Sequence, residues 1–92
     1  MDGSDVVEAI SLAVNLDKHK YIAVDYFAID QEMTHHWDHQ NWTSMNRVRN
    51  AKHEAARLLR TAHIYDLDYL KEEIKSYDGL FIPGGRGVAW NL

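Results

Sequence analysis

Between residues 4 and 16, Val6, Val7, Ile10, Ala13, Val14 and Leu16 form a wide apolar arc, while Glu8, Ser11 and Asn15 share one polar stripe. At about 100° per residue this is a helix whose broad apolar side expects cover from more than one direction. Ser4 or Asp5 supplies the cap, and Asp5-x-x-Glu8 is a loose relative of the capping box. Residues 20–30, KYIAVDYFAID, are rich in aromatic and β-branched types, which predicts a strand at 21–28. Residues 31–43 are polar and aromatic without a period and read as a loop. Thr43 or Ser44 then opens a second helix to about Arg60, with Val48, Ala51, Ala55, Leu58, Leu59 and Ala62 on one face. A short strand at 62–65 follows, then a helix at 67–76 capped by Asp66 and spaced by Leu67, Leu70 and Ile74. GLFIPGG, residues 79–85, reads as a buried apolar strand running into a glycine loop. Alternating helices and strands predict a parallel sheet with helices on its faces.

Composition narrows the function classes. The chain has 92 residues, one small domain at most, and no cysteine, so residues 1–92 hold no disulfide, thiolate zinc site or cysteine nucleophile. No apolar run approaches the ~18 residues that span a bilayer, and the acidic start, MDGSDVVEA, lacks a signal-peptide pattern. Direct membrane insertion is not expected. The net charge of −4 divides into −6 over residues 1–40, +4 over 41–60 and −2 over 61–92. The basic block falls on the second predicted helix, where Arg49, Lys52 and Arg60 oppose the apolar face. It reads as a solvated helix side rather than a phosphate-binding footprint, so no nucleic-acid partner is expected.

Three places carry candidate chemistry. Gly84-Gly85-Arg86-Gly87 follows a predicted strand, where ligands of open α/β sheets bind. Consecutive glycines let backbone N–H groups converge on an anion or oxyanion, although a structural turn has the same composition. His35, His36, Asp38 and His39 lie within five residues. With no fitting further ligand, and with Trp37 and Trp42 beside them, they read as a packed surface loop, and neither metal nor cofactor is expected. Glu8, taken by itself, is a solvated helix carboxylate.

In order along the chain, these pieces resemble the amino-terminal half of the ElbB-like branch of the ThiJ/PfpI superfamily, which is glyoxalase-like and related to glutamine amidotransferases. DGSDVVEA resembles that branch's DGSE-x-x-EA, YFAID its FAPD, Asp38-His39 a loop NH or DH, EAAR at 54–57 matches outright, and YDGLFIPGGRGVAWN resembles DALIVPGGFGAAKN. The likeness runs in register from Asp2 to Asn91, through Arg49-Asn50. It departs at Ile29, where the family has proline, at Arg86, where it has an aromatic, and at Trp90, where it has lysine.

The resemblance implies an incomplete flavodoxin-like, class I glutamine amidotransferase-like sheet with flanking helices. Residues 1–92 form a partial domain without the family's first strand and its nucleophile-bearing second half. Glu8 takes the position of the acid that hydrogen-bonds the family's cysteine, and Gly84 and Gly85 take those of the oxyanion-type amides. Because a thiolate is the nucleophile in such sites, residues 1–92 alone are not expected to catalyse. The expected role is a structural or interaction subunit within a larger assembly, with another polypeptide completing the sheet. The alternative is one part of a split glyoxalase-like or amidotransferase-like enzyme whose cysteine is on another chain. A soluble reducing compartment, cytoplasm or mitochondrial matrix, is expected.

If the family fold is kept, the Glu8 carboxylate should lie within about 8 Å of the Gly84–Gly85 backbone, on the spacing of neighbouring layers.

Overall fold

Helix α1 (Val6–Asp17) starts where its cap dictates. Asp5 has an extended backbone, and its side chain accepts a hydrogen bond from Glu8 N at 3.0 Å. This computed structural model describes residues 3–60 and 62–92, and Asp2, first residue of the opening motif, lies outside them. The cover expected over the apolar arc of α1 is not supplied. No α1 residue is buried, and Val7 is 75% exposed.

The expected strand at 21–28 is shorter. Only β1 (Tyr26–Ala28) has a neighbour, β4 (Ile64–Asp66), which runs parallel with Tyr26 opposite Ile64 and Ala28 opposite Asp66. The parallel arrangement agrees with the helix–strand alternation. Helices α2 (Ala51–Leu59) and α3 (Leu67–Glu73) both pack on this pair. Phe27, Tyr65, Tyr69 and Tyr77 make a chain of ring contacts with centroids 5.4–5.7 Å apart, a spacing suited to edge-on and offset packing. Met33 and Ile64 are the buried apolar residues among those described.

The 31–43 segment is not featureless. It holds β2 (Trp37–Asp38), which pairs antiparallel with β3 (Thr43–Ser44). Asp38 builds the turn: its Oδ1 accepts from Gln40 N and Asn41 N, its Oδ2 from Asn41 Nδ2, and its carbonyl from Trp42 N. These bonds, the Asn41 side chain first, hold the Asp38 pKa below its ordinary 3.8. Thr43 and Ser44 are therefore strand residues, not helix caps. Helix α2 begins seven residues later than the latter at Ala51, because Asn50 is its cap and accepts from His53 N at 3.0 Å. Arg47 and Arg49 consequently lie off the helix.

The helix expected at 67–76 is α3 followed by a 3₁₀ turn at Ile74–Ser76. Asp66 occupies the cap position without capping; its carboxylate pairs with Lys52 at 2.5 Å. Leu80, Phe81 and Ile82 make no strand. They run without a ladder partner among the described residues, 55–64% exposed. A helix not anticipated, α4 (Arg86–Asn91), follows the glycine loop. No described helix is long and apolar enough to cross a membrane.

The chain is loose for its size. Its Cα radius of gyration is 13.8 Å, against about 12 Å for a compact chain of this length. It exposes 7256 Å², where a compact protein of its mass exposes about 5,500 Å².

Candidate functional site

The start of α1 and the glycine loop meet through two reciprocal bonds. Asp5 N donates to Gly84 O at 2.7 Å, and Gly84 N donates to Glu8 Oε2 at 2.6 Å. Glu8 is exposed but engaged, well inside the separation the resemblance implies. The capping-box likeness is thus half realised: Asp5 caps, while Glu8 turns to Gly84 rather than back to Asp5 N. A charge-assisted bond of this length between an amide and a carboxylate is a strong one of its type.

The two glycines differ in what they permit. A Cβ on Gly84 would lie 2.8 Å from Glu8 Oε2, the mobile end of a side chain that would have to swing away and give up its bond. Gly85 has φ 109°, and a Cβ there would lie 2.5 Å from Asp5 N. The loop therefore approaches α1 closely enough for backbone and side chain to exchange bonds.

This geometry changes what the loop can do. The Gly84 N–H is spent on Glu8, so in this arrangement it is not an oxyanion donor. An ionised carboxylate beside it would moreover oppose a second negative charge. Gly85 N–H is no part of the clasp. Chemically, the pair is a fixed carboxylate, aimed by one amide, with no thiol on these residues to act upon. Asp5 was legible as a cap, but its bond to Gly84 O carried no signal in the sequence.

The His35–His39 cluster is dispersed over separate jobs. His36 Nδ1 accepts from Arg49 N at 3.0 Å, the His35 ring stands edge-on to Trp90 at 4.6 Å, Asp38 holds the turn, and His39 is exposed. Among the described residues no group of three or more His, Cys, Asp or Glu side chains is placed to hold a metal ion. Beyond the carboxyl ends of β1 and β4, Asp30, Asp66 and Asp68 line a cleft. Each has a partner: Asn50 Nδ2 on Asp30 at 2.8 Å, Lys52 on Asp66, and Lys71 on Asp68 at 2.6 Å. The Lys71 bond draws the Asp68 pKa below its ordinary value. The position suits a ligand in an α/β sheet, but each of these carboxylates is already engaged, two of them by lysines.

No protein-family model matches the chain, and no curated protein matches it. Among solved structures it is similar to the isoprenoid biosynthesis protein with amidotransferase-like domain from Ehrlichia chaffeensis, at 36% identity and a TM-score of 0.87. The likeness covers 99% of this chain and 41% of that one. The chain thus has the amidotransferase-like α/β fold, an incomplete flavodoxin-like sheet with flanking helices. It spans well under half the length of this neighbour. The likeness supports the ElbB-like, ThiJ/PfpI-like kind that its motifs resemble.

Proposed function

We propose that this chain is a non-catalytic structural or interaction unit of an ElbB-like, amidotransferase-like domain, completed by another polypeptide that supplies further strands. The observation that carries this reading is unburied surface. The chain exposes 7256 Å², about 1,700 Å² more than a compact protein of its mass. That excess matches one side of an obligate interface.

Its location supports the same reading. Among the described residues β1 is paired on one edge, by β4. Leu80, Phe81 and Ile82 form an exposed apolar stretch with no ladder partner among the described residues, and Tyr77 at its entrance bonds Asp25, just before β1, at 2.8 Å. Two-stranded sheets with free edges are marginal in water and recruit further strands. A partner strand would satisfy the backbone of both β1 and the 80–82 stretch.

The direct test is chemical unfolding of residues 1–92 at several concentrations. Under this proposal the chain alone gives no cooperative transition, or one that strengthens with concentration or with an added partner. A cooperative, concentration-independent transition overturns it.

One observation favours a second reading. Glu8 Oε2 is held 2.6 Å from Gly84 N, which is a posture suited to a carboxylate that addresses a reactive group. In a split enzyme that group would be a cysteine on the completing polypeptide. Sequencing any co-purifying chain discriminates: a cysteine at a tight strand–helix turn near Glu8 supports the enzyme, and another residue there supports the structural unit.

A further inference from the structure

A cleft of about 480 Å³ opens between the β2–β3 hairpin and α4, lined by His35, His36, Trp37, Ser44, Met45 and Trp90. Volumes of about 300–1,000 Å³ suit small ligands. We propose that this cleft binds a small planar aromatic molecule carrying a hydrogen-bond-accepting oxygen. The inference does not rest on the proposed structural role, because every lining residue belongs to this chain.

The walls are tied together before any ligand arrives. Thr34 N donates to Asn91 Oδ1 at 2.8 Å, Thr34 Oγ1 donates to Trp90 O at 3.2 Å, and Gln31 Nε2 donates to Asn91 O at 3.2 Å. Asn91 Nδ2 in turn donates to Gly87 O at 2.7 Å, which fixes its orientation. On the hairpin side, Met45 N donates to His36 O at 3.0 Å, and Trp37 pairs with Ser44. A preformed cleft spares a ligand the cost of ordering it.

The lining chemistry selects the ligand class. Two indoles, two imidazoles and a thioether offer flat, polarisable surface, which suits aromatic rings in stacked or edge-on contact. No carboxylate lines the cleft, so a cationic ligand finds no counter-charge on its walls. His36 accepts through Nδ1, which leaves Nε2 as the donor nitrogen of its ring. His36 and Ser44, both on the cleft wall, therefore bring a ring N–H and a hydroxyl as donors for an accepting oxygen.

The test is NMR titration of the full chain, in whatever assembled form it purifies, followed at the Trp37, Trp90 and His36 ring resonances. Benzamide is the probe, with cyclohexanecarboxamide (the same oxygen without a π face) and aniline (the ring without an accepting oxygen) as comparisons. Benzamide is expected to saturate at about millimolar concentration, as a ligand of its size should. Both comparison molecules should bind about threefold to tenfold more weakly. Trp90→Leu should weaken benzamide about tenfold while the Trp42 resonance of the hairpin stays in place. Shifts that grow linearly without saturation, equal affinity for the three molecules, or unchanged affinity in Trp90→Leu would each overturn the proposal. The wild-type comparisons decide the matter even if that variant misfolds.

Discussion

The clasp between α1 and the glycine loop and the apolar stretch just before it are neighbours in sequence with opposite fates. At the clasp, exposed groups find their partners within the chain: Asp5 N with Gly84 O, Gly84 N with Glu8. At Leu80–Ile82, an apolar run with a strand pattern stays exposed and finds no ladder partner among the described residues. A side chain bonding a backbone amide needs one partner in the right place, whereas a strand needs a second strand along its whole length. Apolar pattern expresses a demand for cover, whereas a cap or clasp bond is met by a single partner group.

The sharpest way to break this contrast is Phe81→Asp. If a completing polypeptide covers the 80–82 stretch, an interfacial charge should weaken that association about a hundredfold, read as loss of co-purification. The chain's own far-UV spectrum should not change. An assembly indifferent to Phe81→Asp would mean that the stretch faces solvent in the working protein.

On the clasp side, Gly84→Ala places a methyl group against the Glu8 carboxylate and should cost about 1–2 kcal/mol. Glu8→Gln keeps an accepting oxygen and loses the charge, so its cost should be smaller, about 0.5–1 kcal/mol. Denaturant midpoints of the assembled protein give both values. The reverse order would show that the carboxylate's charge, rather than its fit against the loop, holds the clasp.

The Tyr77–Asp25 bond anchors the entrance of the bare stretch. The bond to the Asp25 carboxylate pushes the Tyr77 hydroxyl from 10.0 up to about 12. Because the folded value lies above the unfolded one, this contribution is fully present below about pH 10 and is lost as pH rises through about 12. Tyrosinate absorbance in wild type against Tyr77→Phe should reveal one late-titrating phenol. The smallest effect is expected at the hairpin. Asp38 is held below its ordinary 3.8, so its contribution is complete above that pH and fades as pH falls through the depressed value. Asp38→Ala should abolish this acid-side change in the Trp42 signal.

The legible parts of the fold were those governed by local chemistry. Asp5 announced α1, and the convergence of Glu8 on the glycine loop followed from a resemblance spread over the whole chain. The hairpin at Trp37–Ser44 escaped because two-residue strands have no period to read, and its organiser, Asp38, resembled a candidate ligand. The late start of α2 escaped because apolar spacing continues back through Val48, whereas the Asn50 cap overrides it. α4 was hidden by the glycines at its entrance. The buried strand expected at 79–85 is neither buried nor paired among the described residues, because pairing depends on a neighbour that periodicity does not specify.

The clasp also has a kinetic consequence. Glu8 and Gly84 are 76 positions apart, so bringing them together in an open chain costs about 4 kcal/mol of closure entropy. Two exposed hydrogen bonds return roughly 1–3 kcal/mol, too little to draw the ends together unaided. The clasp must therefore shut after β1, β4 and their helices have shortened the loop, and open when they separate. The Gly84 amide is accordingly a late-forming latch, and its hydrogen-exchange rate should follow the opening of the entire unit rather than the fraying of α1.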